Sequence, residues 1–293
     1  MLRSMYSGIS GMKNFQTKLD VIGNNISNVN TYGFKKGRVV FKDLVSQSIS
    51  GAGAPTANTG GTNPKQVGLG SQLAAIDTMH TTGSLQTTGR TLDLAISGDG
   101  FYVVMDGTTP LYTRAGNFYM DRSGSIVNAD GLALQGLPPA ADGNSINTAS
   151  TTVNDIVVPT TAQSMSIGSD GVVTYVDTAG QLKYAGQVMI AKFANPEGME
   201  KVGQNLFQQT TNSGIAYAGG NFNRLTTANV TGGLDTPGSS GTGTIVAGTL
   251  EMSNVDLSEE FTEMIVAQRG FQANTRIITT SDEILQELMS MKR

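Results

Sequence analysis

Read in sevens, the N-terminal thirty residues or so place Met5, Met12, Leu19 and Ile26 on one position. Leu2, Ile9, Gln16 and Gly23 fall on a partner position, four residues further round. Residues three, four and seven apart share a helix face, so this spacing predicts an α-helix with one apolar seam. Asn28, Asn30 and Gly33 tolerate a left-handed cap, and the helix is predicted to stop there. The C-terminal end repeats the pattern. Leu250, Leu257, Met264, Phe271, Ile278 and Leu285 share one position, and Glu260, Ala267, Asn274, Ser281 and Leu288 its neighbour. The run NVDLS (254–258) supplies a helix cap before the seam settles. Two long helices with compatible seams are predicted to pack as a coiled-coil-like pair that closes the chain N-to-C.

Between them, from roughly residue 70 to 250, the period drops to two. LDLAISGDGFYVVMDG (92–107) reads as strand, Asp-Gly turn, strand, Asp-Gly turn. Turns recur at Arg122–Gly124, Asp130-Gly131, Asp170-Gly171 and Asn195-Pro196. Leu94, Ile96, Tyr102 and Val104 are the predicted core of this part. Short strands at such spacing suggest a sandwich or barrel. The Gly/Ser/Thr-rich runs 51–63 and 231–243 read as linkers, and 137–152 as a surface loop. The fold class is therefore α+β, in three parts. Residues 1–70 hold the N-terminal helix and an extended linker, 71–248 a central β-rich domain of short antiparallel strands, and 249–293 the C-terminal helix.

The seams are not purely apolar. Gln16, Asn24, Asn25, Asn28, Gln268, Gln272 and Asn274 lie on or beside them. An unpaired buried amide costs roughly 1–3 kcal/mol, so these groups are expected to face solvent or to bond to another chain. A two-helix hairpin is also too thin to bury much by itself. Either its back is solvated, or it buries its remaining faces against copies of itself. Composition leans the same way. Net charge is −4 and charged residues are 14% against a usual level of roughly 25%, leaving a surface of neutral polar groups suited to crowded packing. That charge is too small to steer toward nucleic acid, and no apolar run approaches the ~20 residues of a membrane helix. Arg3 is followed by no apolar h-region and no small-residue cleavage site, so any export is expected to proceed without a cleaved signal.

Candidate chemistry is sparse. His80 is the single histidine and cysteine is absent, which removes thiolate and multi-histidine metal sites. Neither a phosphate-binding G-x-x-x-x-G-K-[ST] loop nor a G-x-S-x-G elbow occurs. GDGFYV from Gly98 precedes a strand and reads as a hairpin turn. The Asp-Gly turns lack EF-hand spacing, so turn chemistry explains them better than calcium. No carboxylate pair stands out, and Lys35, Lys36 and Arg38 read as a solvated face or a contact with a neighbouring subunit. No cofactor and no enzymatic activity are expected.

The opening stretch, with Asp20-Val21-Ile22-Gly23-Asn24-Asn25-Ile26-Ser27-Asn28 and then Thr31-Tyr32-Gly33-Phe34-Lys35, resembles the N-terminal signature of the bacterial flagellar axial family of rod, hook and hook-associated proteins. TTGRTLDLAISGDGFYVV (87–104) and YTRAGNF resemble that family's β-domain core, and SNVDLSEEFTEMIVAQRGFQANTRIITTSDEILQEL (253–288) its C-terminal helix. TGRTLDLAI and MIVAQRGFQAN are more similar to the hook subunit than to the distal rod subunit. Residues 137–186 leave little room for the outer domain of long hook subunits, which keeps the distal rod subunit as the alternative. A secreted β-rich adhesin or polysaccharide-active enzyme is the reading from another class.

The resemblance implies export unfolded through the flagellar type III apparatus and assembly, in the basal body or hook outside the cell, into a helical tube that couples rod to filament and transmits torque. It implies partners among copies of the chain and the rod, hook-cap and hook–filament junction proteins. The expected self-assembly interface is Leu2, Met5, Ile9, Met12, Leu19, Asn24, Asn25, Ile26, Asn28, Gly33, Phe34, Leu257, Phe261, Met264, Gln268, Phe271, Asn274, Ile278, Leu285 and Leu288.

Overall fold

The computed structural model describes residues 2–55, 60–107, 109–140, 143–147, 153–214, 217–218, 221–222 and 232–291. The chain forms two compact units. The terminal unit gathers Met1–Ser27, Gly37–Met79 and Val255–Arg293, and the central unit holds Asn28–Lys36 and His80–Asn254.

In the terminal unit, α1 (Leu2–Ser27) lies against α2 (Leu257–Met291) in antiparallel fashion. Gly8 meets Ile278, Gly11 meets Asn274 and Phe15 meets Gly270, while Lys18 pairs with Glu263. Asp256 caps α2, its carboxylate accepting the Ser258 N–H at 2.8 Å, and Glu259 and Glu260 place negative charge on the first turn. Strands β1 (Gly37–Asp43) and β4 (Ser71–Thr78) pair antiparallel from Gly37–Thr78 to Asp43–Ser71. The ribbon of β2 (Ser46–Ser50) and β3 (Lys65–Gly68) stands exposed along its length. It falls in the stretch read as an extended linker. Thr56–Thr59, in the middle of the 51–63 run, lie outside the described residues.

In the central unit, β5 (Leu85–Thr87) and β6 (Leu94–Ser97) each sit in a separate two-stranded sheet, while β7 (Phe101–Asp106) and β8 (Thr109–Thr113) belong to a large antiparallel sheet. Its main path runs Ser164–Ile167, Val172–Val176, Leu182–Val188, Ala133–Leu137, β7, β8, Leu206–Gln208 and Glu200–Gly203. Leu94, Ile96, Tyr102 and Val104 are fully buried in one apolar cluster with Phe118, Ile126, Leu134 and Ile190. A second cluster on the opposite face joins Phe101, Val103, Tyr112, Met189 and Phe193.

Three local readings are corrected by this topology. The Asp99-Gly100 turn does not close a hairpin, because β6 pairs with Thr244–Ala247 and β7 with β8. Gly98 and Gly100, at φ 117° and 134°, let the chain jump between these pairings, and a partner so distant in sequence leaves no local trace. The 231–243 run is not a loose linker over its described part. Gly232–Asp235 pairs with Ile190–Phe193, and Leu234 is fully buried. Leu250 lies on no helical seam but in the strand Thr249–Glu251, paired with β5. A heptad count runs on through a cap that it cannot see. Of the 137–152 stretch, Leu137 ends a buried strand and Pro139 bridges Ile146, while 141–142 and 148–152 lie outside the described residues.

Candidate assembly interface

The face of each helix turned inward follows the heptad row. On α1, Met5, Met12, Leu19 and Ile26 are half-buried, and on α2 Met264, Phe271, Asn274, Ile278 and Leu285 are half-buried with Ala267 and Ser281 fully covered. The partner row on α1 is not the predicted one. Gly8, Phe15 and Ile22 are withdrawn from solvent, whereas Ile9 and Gln16 are exposed. A hydrophobicity count passes over Gly11, yet its missing side chain is what admits Asn274, whose Nδ2 would lie 2.9 Å from a Cβ there. Gly270 does the same for Phe15, since a Cβ on it would stand 2.6 Å from the ring.

Asn25 answers the question of the amides inside its own chain. It is buried, its Nδ2 donating to the Gly37 carbonyl at 2.9 Å and its Oδ1 accepting the Gly37 N–H at 3.0 Å. The same Nδ2 lies 3.2 Å from the buried Glu260 carboxylate of α2. The expectation that such an amide needs solvent or a second chain is therefore corrected. The side chain satisfies a strand's first residue and a helix's first turn together. Asn274 likewise donates to the Gly270 carbonyl of its own helix at 3.0 Å.

Two exposed apolar patches flank that inward row. Leu257, Phe261 and Ile265 recur at intervals of four on one flank of α2, and Ile277, Ile284, Leu288 and Met291 lie on the other flank along its C-terminal half, all exposed. Tyr6 and Ile9 are exposed on α1. Large side chains left in water at helical spacing make a candidate contact surface. Of the expected interface, Ile9, Leu257, Phe261 and Leu288 are exposed apolar side chains, and Asn24 and Gln268 are also exposed. Tyr6, Ile265, Ile277, Ile284 and Met291 are exposed apolar side chains outside that expected set. Their spacing from Phe261 and Leu288 was the available signal, masked because the inward row matched the same period. The Leu2 side chain lies outside what is described.

Gly33 and Phe34 are buried in the central unit instead. Gly33, at φ 68°, donates its N–H to the Glu251 carbonyl at 2.8 Å, and a Cβ on it would meet Ala115 N at 2.5 Å. Lys35 follows it into a charged knot and is no solvated residue. Its Nζ lies 2.6 Å from Glu251 Oε1 and 2.7 Å from the Thr81 carbonyl, with almost none of the side chain exposed. Glu251 Oε1 also accepts the Gly83 N–H at 2.9 Å, and Oε2 accepts Arg114 Nη1 at 3.2 Å. Arg114 also donates to the Ile96 and Gly98 carbonyls. One carboxylate thus ties four segments of the central unit. Burial holds the Lys35 amine below its usual range, opposed by the attraction of Glu251. His80 packs edge-on against Phe101 and Phe207, with ring centroids 5.3 Å away in both cases. Burial, with the nearby charges of Lys35, Lys201 and Arg114, pushes its pKa down to about 3.

Comparison with known proteins fits this arrangement of terminal helices and central strands. Residues 5–35 match the flagella basal body rod protein family, 95–175 the flagellar hook protein FlgE/F/G D1 domain, and 246–291 the flagellar basal body rod FlgEFG protein C-terminal family. The chain is 55% identical over 293 residues to the flagellar basal-body rod protein FlgG of Bacillus subtilis, covering all of both chains. The chain belongs to the flagellar rod and hook family. Members of this family are structural proteins of the flagellum, not enzymes. FlgG of Borreliella burgdorferi is 38% identical over 299 residues, again covering both chains. The flagellar hook protein FlgE of the same organism is 30% identical over 457 aligned positions, covering both chains. The residues matched at 5–35 and 246–291 cover most of α1 and all of α2.

Proposed function

We propose that this chain is the distal rod subunit of the flagellar basal body, self-assembling into a helical tube that transmits torque. The supporting observation is full-length identity of 55% to a rod protein, without the extra sequence that stretches the hook alignment to 457 positions. The hook reading, which rested on TGRTLDLAI and MIVAQRGFQAN, is the second choice on the same ground. In the tube, the exposed patches of Phe261 with Ile265 and of Ile284 with Leu288, on the two flanks of α2, pack against copies of the chain, and the inward heptad rows hold α1 and α2 as a coiled-coil-like pair. Neighbouring rod and hook proteins, and the type III export apparatus, are the remaining partners; hook-cap and hook–filament junction proteins belong to the hook reading. The test is complementation, in a motile bacterium, of a strain lacking its distal rod protein and of one lacking its hook protein. Negative-stain images of basal bodies accompany it. Rescue of the rod strain with straight tubes supports the proposal, and rescue of the hook strain alone with curved tubes overturns it.

A further inference from the structure

A cavity of about 210 Å³ opens in the central unit between the Asn30–Tyr32 turn, the Thr113–Asn117 stretch, the Asn128–Asp130 turn and the hairpin tip Gln204-Asn205. Its walls are fastened. Asn205 Nδ2 donates to the Tyr32 carbonyl at 3.0 Å, and the Thr113 hydroxyl donates to the Asn205 carbonyl at 3.0 Å. Asn128 Oδ1 accepts the N–H groups of Asp130 and Leu132 at 3.0 and 2.9 Å. By contrast, the amide groups of Asn30, Asn117 and Gln204 are engaged by no hydrogen bond among the described residues. The cavity therefore has a stiff frame and a rim of uncommitted donors and acceptors.

Gln204 is the telling position. It and Asn205 form a two-residue hairpin loop with φ of 53° and 59°. Asparagine and glycine occupy such loops easily, while a longer side chain is crowded there. Glycine at 204 would relieve that crowding. What glutamine supplies is an amide at the mouth of the cavity.

The lining also decides the ligand class. No lysine, arginine or histidine reaches it, so a phosphate or carboxylate would meet no counter-charge. Asp130 is its one carboxylate, too few hard donors for a bound divalent cation. Amides that donate and accept, a carboxylate that accepts, and the partly exposed ring of Tyr32 suit a small neutral ring carrying several hydroxyls. The volume admits one such ring and is too small for a folded loop of another subunit. We propose that this cavity binds a single neutral sugar residue.

Saturation-transfer NMR on the full-length monomer tests the assignment, with glucose and N-acetylglucosamine as separate probes. Saturation passes to at least one of them, and Gln204→Gly weakens that sugar about five-fold, the loss of one neutral hydrogen bond. The variant melts no lower than the parent, because the substitution relieves a crowded turn. Absence of transfer to either sugar overturns the proposal. So does transfer that is unchanged in a Gln204→Gly, Asn117→Ala double variant. A double variant that binds neither sugar less than the parent but no longer polymerises assigns the cavity to contact between copies, and equally overturns it.

Discussion

His80 gives the central unit an acid sensitivity that can be isolated from every other titration. In the folded protein its pKa is held to about 3, first by burial and then by the neighbouring charges of Lys35, Lys201 and Arg114. In the unfolded chain it returns to the ordinary value near 6.5. Between these two values the unfolded chain binds the proton and the folded one does not, so stability falls as pH is lowered. The neutral imidazole's contribution is complete above about pH 6.5, is lost progressively, and is gone below about pH 3. Each unit of separation carries 1.36 kcal/mol, so the loss by pH 4.5 is roughly 2–3 kcal/mol, taken as an upper value because the ring is not wholly enclosed. His80→Leu keeps an apolar contact with Phe101 and Phe207 and removes the titration. Urea unfolding at pH 7 and pH 4.5, followed by circular dichroism, measures the stability lost by parent and variant. The parent should lose roughly 2–3 kcal/mol more than His80→Leu over that interval. Equal losses in the two proteins would refute the reasoning, since every carboxylate is common to both.

Three other outcomes follow from contacts described above. Glu251→Gln leaves Lys35 and Arg114 buried without their counter-charge and should cost about 3–5 kcal/mol of central-unit stability in a denaturant melt, far more than a surface carboxylate. Gly270→Ala pushes a Cβ into the Phe15 ring and should lower the melting of the helical signal, by roughly 1–3 kcal/mol, while leaving the strand signal in place. Ile265→Asp places a charge on the exposed apolar patch of Leu257, Phe261 and Ile265 on α2 and should reduce polymer yield in sedimentation assays with the monomer's thermal melt unchanged; an equal fall in both would assign Ile265 to the monomer's own packing.

The sequence by itself determined the two terminal helices and the β character between them. Heptad spacing and alternation are local consequences of how side chains project from a helix or strand. It also determined the core members Leu94, Ile96, Tyr102 and Val104, and the cap region at Asp256. Tertiary structure decided what local pattern cannot carry. That β6 pairs with Thr244–Ala247 depends on a partner remote in the chain, and Leu234 is buried for the same kind of reason. Asn25 reads as an awkward polar residue on a seam until Gly37 and Glu260 are brought beside it. Lys35 reads as one charge in a basic run until Glu251, Arg114 and the Thr81 carbonyl surround it. Gly11 and Gly270 count as gaps in hydrophobicity, yet a Cβ on either would press into a side chain of the opposite helix. In all these cases a side chain's role is set by what folding places against it, and periodicity reports only which way the side chain points.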